Sequence, residues 1–178
     1  EFAPSLHGSR PEIHDFLTGA LGSFLQTVSG MRNLRRLGQR VITNTVITKA
    51  NYRDLPDIAR LLVTLGVSQY QFAFMHMGGR AAENKDWLVA RKAVIEPWVK
   101  RALDVGIKAG RRVMTEAIPY CLMRGYEEHV AESIIPQTMI FDAESVVADY
   151  TRARRDEGKA KGPRCCECAR FSECEGPW

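Results

Sequence analysis

Hydrophobic residues in the first half of the chain alternate between the periods of strands and helices. A β-branched run from Val41 to Thr48 predicts a buried strand, and the apolar residues from Gln69 to Met75 predict another. The residues between them repeat at helical spacing, which predicts a helix capped by Asp54 and stopped by Gly66. Its expected buried face consists of Leu55, Ile58, Leu61, Leu62 and Leu65.

Shorter elements precede this pattern. Phe2 to Leu6 is typical of a short strand, residues 8–22 of a polar loop, and Ser23 to Leu37 of a helix. Strands and helices that alternate through short, glycine-ended joints predict parallel strands with helical crossovers, and therefore an α/β fold. The predicted strand at Val41 carries a single amide, Asn44, which must either pair inside the sheet or face a ligand.

The pattern changes in the second half of the chain. Residues 79–96 form a polar connection without a clear period, and Pro97 is expected to open a helix that runs to Ala109. A short strand from Val113 to Ala117 and a last helix from Asp142 to Arg155 follow. We predict an α/β part at residues 1–88 and a cysteine-bearing part at residues 89–178.

Composition narrows the function classes. The 178 residues carry a formal net charge of +4, and their basic residues are spread through helices, so we expect no nucleic-acid partner. No apolar run approaches the length of a membrane span, and the first residues lack the pattern of a signal peptide. We therefore expect a cytoplasmic protein with no membrane partner.

The cysteines supply the candidate chemistry. Cys165, Cys168 and Cys174 form a C-x2-C-x5-C run that also contains Cys166, and Cys121 lies far from it in the sequence. Three clustered thiolates and a distant fourth can hold tetrahedral zinc or a [4Fe–4S] cluster. The cluster is favoured because the second C-x2-C knuckle of a zinc ribbon is missing and no histidine lies near. Unligated or disulfide-bonded cysteines are the third reading, but an odd count disfavours a disulfide framework.

These residues resemble the C-terminal portion of radical S-adenosylmethionine enzymes. SLHG with HDFLTGALGSF resembles the fourth strand and following loop of that family's partial (β/α)6 barrel. NTVITKANYRDLPDIARLLVTLGV resembles the fifth strand and helix, and QYQFAFMHMGGRA the sixth strand with its glycine turn. The tail resembles the auxiliary modules called SPASM and Twitch, whose C-x2-C-x5-C core matches Cys165, Cys168 and Cys174.

The resemblance implies a cofactor site at the carboxyl ends of the barrel strands. Ser5 would bind the ribose or carboxylate of S-adenosylmethionine, and Asn44 would face the cofactor or the substrate. The backbone at Met77 and Gly78 would approach the adenine. His7 and Glu116 are weaker candidates for the site, and no residue is assigned as catalytic.

Two departures from the family pattern matter. The sequence contains no C-x3-C-x2-C run, the loop that holds the S-adenosylmethionine-cleaving cluster, so we expect this chain alone to be inactive. Trp178 stands where SPASM modules continue with another cysteine, which favours one auxiliary cluster, as in Twitch modules. With Cys121 as the fourth ligand no iron is left open, and electron transfer is the expected role.

The resemblance thus implies part of a radical S-adenosylmethionine oxidoreductase or maturase with an auxiliary [4Fe–4S] cluster. Its partners would be a small-molecule or peptide substrate and the missing N-terminal half of the enzyme. The alternative is a non-catalytic α/β module that is stapled by zinc and binds a protein partner.

Overall fold

The chain divides into two compact units. The computed structural model describes residues 1–141, 143 and 145–177. The first unit is Glu1–Glu116 and the second is Ala117–Trp178. The first unit extends beyond residue 88, because another helix packs on its sheet and another strand pairs with the sheet. A functional division between residues 88 and 89 stays a prediction.

A parallel sheet organises the first unit. Its strands are β1 (Ile42–Ile47), β2 (Gln69–Phe74) and β3 (Arg112–Glu116), and they lie side by side in chain order. Both pairings are parallel, as the alternation of strands and helices predicts. The segment that was expected to form a strand at Phe2 makes only isolated parallel bridges, from Phe2 to Val41 and from Ser5 to Asn44.

Helices cover one face of this sheet. Residues of β2 that point toward them include Tyr70, whose hydroxyl donates a hydrogen bond of 2.6 Å to the carbonyl of Ala102. Within the described residues, no helix is both long and apolar enough to cross a membrane. The helices of this unit are α1 (Pro11–Thr18), α2 (Ser23–Arg36), α3 (Leu55–Thr64), α4 (Arg80–Glu83), α5 (Lys85–Leu88) and α6 (Lys92–Lys108).

Two predictions about where helices begin were wrong. The expected polar loop contains α1, which begins at Pro11, a residue tolerated in the first turn because it needs no hydrogen bond there. Pro97 lies inside α6 and does not open it, since the helix already begins at Lys92. The second error came from treating Pro97 as a first-turn residue, whereas Val94 and Ile95 before it already belong to the helix.

Asp54 has a different role from the predicted helix cap. It stands at the N-cap position of α3 but makes no capping hydrogen bond. Its carboxylate accepts hydrogen bonds from the backbone N–H and the hydroxyl of Ser9, each at 2.7 Å. Nearby, the buried Asn51 amide donates to the carbonyls of His7 and Val46. These two side chains fix the segment that precedes α1 against the end of β1.

The second unit has little regular structure. Its longest elements are short turns, a hairpin of β4 (Ile140–Phe141) and β5 (Val146–Val147), and α7 (Tyr150–Ala153). A π-helical turn, Arg154–Gly158, continues α7. The predicted helix from Asp142 to Arg155 was wrong at Val146 and Val147, which are extended; its proposed cap, Asp142, lies outside the described residues.

Candidate functional site

The face of the sheet opposite the helices carries a row of aligned residues. Ser5 is bridged to Asn44, Asn44 is in register with Gln71, and Gln71 is in register with Met114. Partners in a parallel register point to the same side of a sheet. The structure therefore brings together Ser5 and Asn44, two of the residues that the sequence predicted for a cofactor site.

This row offers hydrogen-bond acceptors. The side-chain Oδ1 of Asn44 is buried and has no hydrogen-bond partner among the described residues. Gln71 Nε2 donates to Glu116 Oε2 at 2.6 Å, which leaves the amide oxygen of Gln71 available to another group. A buried polar atom without a partner is costly. This face can therefore hold a ligand that donates hydrogen bonds.

Sequence reasoning found only part of this row. Gln71 was not predicted as a site residue. It lies two residues after Gln69 in a strand, so both side chains point to the same face of the sheet, and this spacing was the available signal. Glu116 was only a weak candidate, and the structure pairs it with Gln71. Ser5 itself is exposed to solvent.

Met77 and Gly78 lie in the exposed segment that follows β2. A Cβ added at Gly78 would meet no atom within 4 Å. The neighbouring Gly79 is the residue whose backbone requires glycine, with φ of 54° and ψ of −137°. The structure thus places Met77 and Gly78 on an accessible turn and leaves their role toward adenine a prediction.

His7 and His14 form a stacked pair, with ring centroids 6.0 Å apart. The backbone N–H of His7 donates to His14 Nδ1 at 3.0 Å, and that of Val46 donates to His7 Nδ1 at 3.4 Å. Burial is the main cause that lowers the pKa of both rings, and the adjacent His14 lowers the pKa of His7 further. Both rings are therefore neutral acceptors that hold the segment before α1.

The cysteine loop is a series of tight turns in the second unit. Cys165 lies in the 3-10 helix Pro163–Glu167, and the N–H of Cys168 donates to the Cys165 carbonyl at 3.0 Å. A further turn places the N–H of Cys174 2.9 Å from the carbonyl of Arg170. Cys165, Cys168 and Cys174 are partly buried.

Cys121 lies in another 3-10 turn, Tyr120–Leu122, of the same unit. Although its side chain is exposed, partial desolvation raises the pKa of the thiol, and the nearby thiols of Cys174, Cys165 and Cys168 raise it further. Cys166 is exposed and is not among these neighbours. Cys121 thus lies within electrostatic range of the three tail thiols, and its role as their fellow ligand stays a prediction.

The donor set fits the chemistry of an iron–sulfur cluster, which four thiolates can hold. The arrangement is looser than a finished site, since no three potential ligands among the described residues lie close enough together to hold a metal ion. A preformed metal site rarely exists in an unfolded chain, so metal binding at such a site is coupled to folding. The residues that would hold the group are Cys121, Cys165, Cys168 and Cys174.

A buried group of charged residues adjoins the cysteine loop, and we call it the ion network. Arg154 donates two hydrogen bonds of 2.6 Å to Glu175, which directly follows Cys174. Lys159 Nζ lies 2.8 Å from carboxylate oxygens of both Glu175 and Glu132. Burial alone would raise the pKa of Glu175, but the hydrogen bonds from Arg154 and Lys159 outweigh it and lower that pKa to about 2.

Sequence reasoning missed the ion network entirely. Arg154 and Glu175 are 21 residues apart, and nothing in the local pattern distinguishes them from solvated charges. Only their side-chain exposure of 1% and 2% in the fold shows that they are interior groups.

Comparisons with known proteins give the chain its relatives. No family model matches it. An AdoMet-dependent heme synthase of Oleidesulfovibrio alaskensis is 32% identical over 79 residues, which are 44% of this chain and 20% of that protein. Another, of Nitratidesulfovibrio vulgaris, is 26% identical over 141 residues, 78% of this chain and 38% of that protein. The chain therefore spans well under half the length of these curated relatives.

Solved structures share the fold. SuiB of Streptococcus suis, in a crystal structure with the precursor peptide SuiA, superposes with a TM-score of 0.64 and 14% identity. That match covers 99% of this chain and 48% of SuiB. SuiB bound to S-adenosylmethionine gives a TM-score of 0.61 and 13% identity over 99% of this chain and 49% of SuiB. Relatives and shared fold together confirm that the chain resembles the C-terminal portion of radical S-adenosylmethionine enzymes.

Proposed function

We propose that this chain is the C-terminal part of a radical S-adenosylmethionine oxidoreductase or maturase and that it binds one auxiliary [4Fe–4S] cluster. The observation that carries the proposal is that the C-x2-C-x5-C run and Cys121 lie in one compact unit, and the influence of the tail thiols on the pKa of Cys121 supports it. Cys121, Cys165, Cys168 and Cys174 would be the ligands. When bound, the cluster would supply one-electron transfer during turnover of a substrate.

The first unit would contribute part of the S-adenosylmethionine site. Ser5 and Asn44, which are adjacent on the open face of the sheet, would bind the cofactor, and the turn at Met77 and Gly78 would contact its adenine. The unpartnered Oδ1 of Asn44 supports this role, since hydroxyl or amino groups of the cofactor can donate to it. The binding of S-adenosylmethionine by SuiB is consistent with it.

Gln71 and Glu116 lie on the same face of the sheet, beyond Asn44. We infer that they contact the substrate, which would be a small molecule or a peptide. The name of the heme synthases favours a small molecule, and the peptide complex of SuiB favours a peptide. The cleavage of S-adenosylmethionine would depend on a C-x3-C-x2-C loop in the N-terminal half, since the sequence described here has none.

Anaerobic reconstitution with iron and sulfide tests the cluster. We expect the purified chain to take up iron and sulfide together, to turn brown, and to give the broad visible absorption of an iron–sulfur protein. Cys121→Ala should lose most of the bound iron, because it removes the only ligand outside the tail. Cys166→Ala is the matched control, and its iron content should equal that of the wild type.

The outcomes separate the competing readings. Zinc uptake with no retained iron or sulfide would favour the zinc-stapled module, for which the relatives give no support. Full iron and sulfide in Cys121→Ala would remove Cys121 from the ligand set. Loss of iron in Cys166→Ala with retention in Cys165→Ala would show that the register is displaced by one residue.

A further inference from the structure

Cys174, the last cysteine of the loop, is flanked in the sequence by two glutamates, one exposed to solvent and one buried. Glu173 precedes Cys174, is exposed, and pairs with Arg170 at the surface, where its side chain is 59% accessible. Glu175 follows Cys174 and has a side chain 2% accessible, enclosed by Arg154 and Lys159. The backbone of Cys174 is therefore anchored from its carboxyl side.

The ion network also reaches the segment that carries Cys121. Glu132 Oε1, which accepts from Lys159 at 2.8 Å, accepts a second hydrogen bond of 2.7 Å from the backbone N–H of Ala117. Ala117 stands shortly before Cys121, and its φ of 61° is unusual for a residue with a side chain. One continuous set of bonds thus joins the segments of Cys121 and Cys174.

Close backbone contacts also hold the segment that directly follows Glu175. Gly176 has a φ of 89°, and an added Cβ would lie 2.4 Å from the carbonyl oxygen of Ala160. The N–H of Ala160 donates to the carbonyl of Pro177 at 3.0 Å, so the segment beside Lys159 pairs with the segment after Glu175. The N–H of Gly176 donates to the sulfur of Cys174 at 3.4 Å, which orients that sulfur.

We propose that the ion network is a positioning device that fixes Cys174 relative to Cys121, so that both thiolates can reach one metal centre. The inference rests on the proposed function, because it concerns the same cluster. Three basic side chains, Arg154, Arg155 and Lys159, meet two acidic ones, Glu132 and Glu175, in the network. A neutral residue at position 175 would leave Arg154 and Arg155 without their carboxylate partner beside the cluster and would make the network more positive by one charge.

The test compares Glu175→Gln with Glu173→Gln in the reconstituted full chain. Both substitutions remove one carboxylate next to Cys174 and keep its size. Glu175→Gln should release iron to a chelator about tenfold faster than the wild type, the lower end of the effect of losing a group that orients metal ligands. It should also shift the reduction potential of the cluster to more positive values. Glu173→Gln should leave both quantities unchanged, because its charge is solvated.

A merely structural network would give a different result. Glu175→Gln would then lower the melting temperature of the metal-free chain, whereas iron release and reduction potential in the loaded chain would match those of Glu173→Gln. That result would overturn the inference and leave the proposed function intact. A wild-type chain that binds no iron and sulfide would overturn both.

A second variant serves if Glu175→Gln does not fold. Lys159→Met cuts the link between Glu132 and Glu175 and leaves the paired hydrogen bonds from Arg154 to Glu175 in place. We expect faster iron release than in the wild type, with a smaller increase than for Glu175→Gln. Iron release at the wild-type rate in Lys159→Met would overturn the inference.

Discussion

The two units of this chain are stabilised by different kinds of interior. In Glu1–Glu116 the buried side chains are mostly apolar, and the interior of the sheet and helices includes Leu6, Leu62 and Phe72, each fully buried. In the second unit the apolar interior ends at Ala131. Among the described residues beyond it, the buried side chains are those of Arg154, Lys159 and Glu175.

The difference follows from how much regular structure each region has. Helices and strands present continuous apolar faces, and burying them supplies most of the stability of a domain. A short region of turns buries little apolar surface and depends on further constraints such as a bound metal. Apolar interiors tolerate substitutions that conserve volume, whereas a buried ion pair fails when one partner is removed.

Removing one charge from the ion network should give the largest effect. Arg154→Met leaves Glu175 buried without its two shortest hydrogen bonds, and we expect the second unit to lose about 3–5 kcal/mol of stability. This loss is measured by unfolding the metal-free chain in denaturant and using proteolytic cleavage beyond residue 131 to report the unfolding of the second unit. The control is Arg152→Met on the same helix, because the Arg152 side chain is 78% accessible. Equal stability of the two variants would contradict the role of the buried charges.

The apolar interior of the first unit can be probed by adding one methyl group. Gly106 lies inside α6, where a Cβ would come within 2.4 Å of both the Tyr70 hydroxyl and Val113. Gly106→Ala should therefore destabilise the first unit by about 1–3 kcal/mol through overpacking, even though alanine favours helices. Gly30→Ala in α2 meets nothing within 4 Å, so the same substitution there should stabilise by up to about 1 kcal/mol. Urea unfolding of both variants checks the pair, and destabilisation by both would point to a general intolerance of alanine.

How far the sequence predicts each unit depends on the same distinction. The β-branched run that forms β1 and the apolar spacing of α3 are local signals, and both elements were predicted close to their observed bounds. The parallel order of the strands followed from them. Val146 and Val147 also looked apolar enough for a helix, but in a region without a large core they pair as strands.

The candidate site shows the same limit. The spacing of Cys165, Cys168 and Cys174 is local and could be recognised, and Cys121 was deduced as the remaining thiol. The contact between Gln71 and Glu116 joins different strands and depends on the register of the sheet. The ion network joins segments even further apart, so it could not be deduced from local pattern.

Mild acidification, limited to the pH range in which histidine titrates, should give the smallest effect, and this effect should be confined to the first unit. The folded-state pKa values of His7 and His14 are lowered by burial, so the unfolded chain binds protons more readily. Stability should therefore be unaffected above the ordinary histidine value of 6.5 and should fall as the pH drops below it. Thermal melts across this range measure the slope, and His7→Gln combined with His14→Gln should flatten it. His129→Gln is the control in the second unit, and a slope that it also removes would contradict the assignment.

The strand order β1, β2, β3 repeats the order of the chain, and this has a consequence for folding. Each strand pairs with the one made just before it, across a single crossover, so no strand must wait for a partner from a distant part of the sequence. Each pairing closes a loop that contains only one crossover, and the entropy cost of closing a loop grows slowly with its length. The α/β unit can therefore grow strand by strand during synthesis, before the segment bearing the cysteine loop leaves the ribosome.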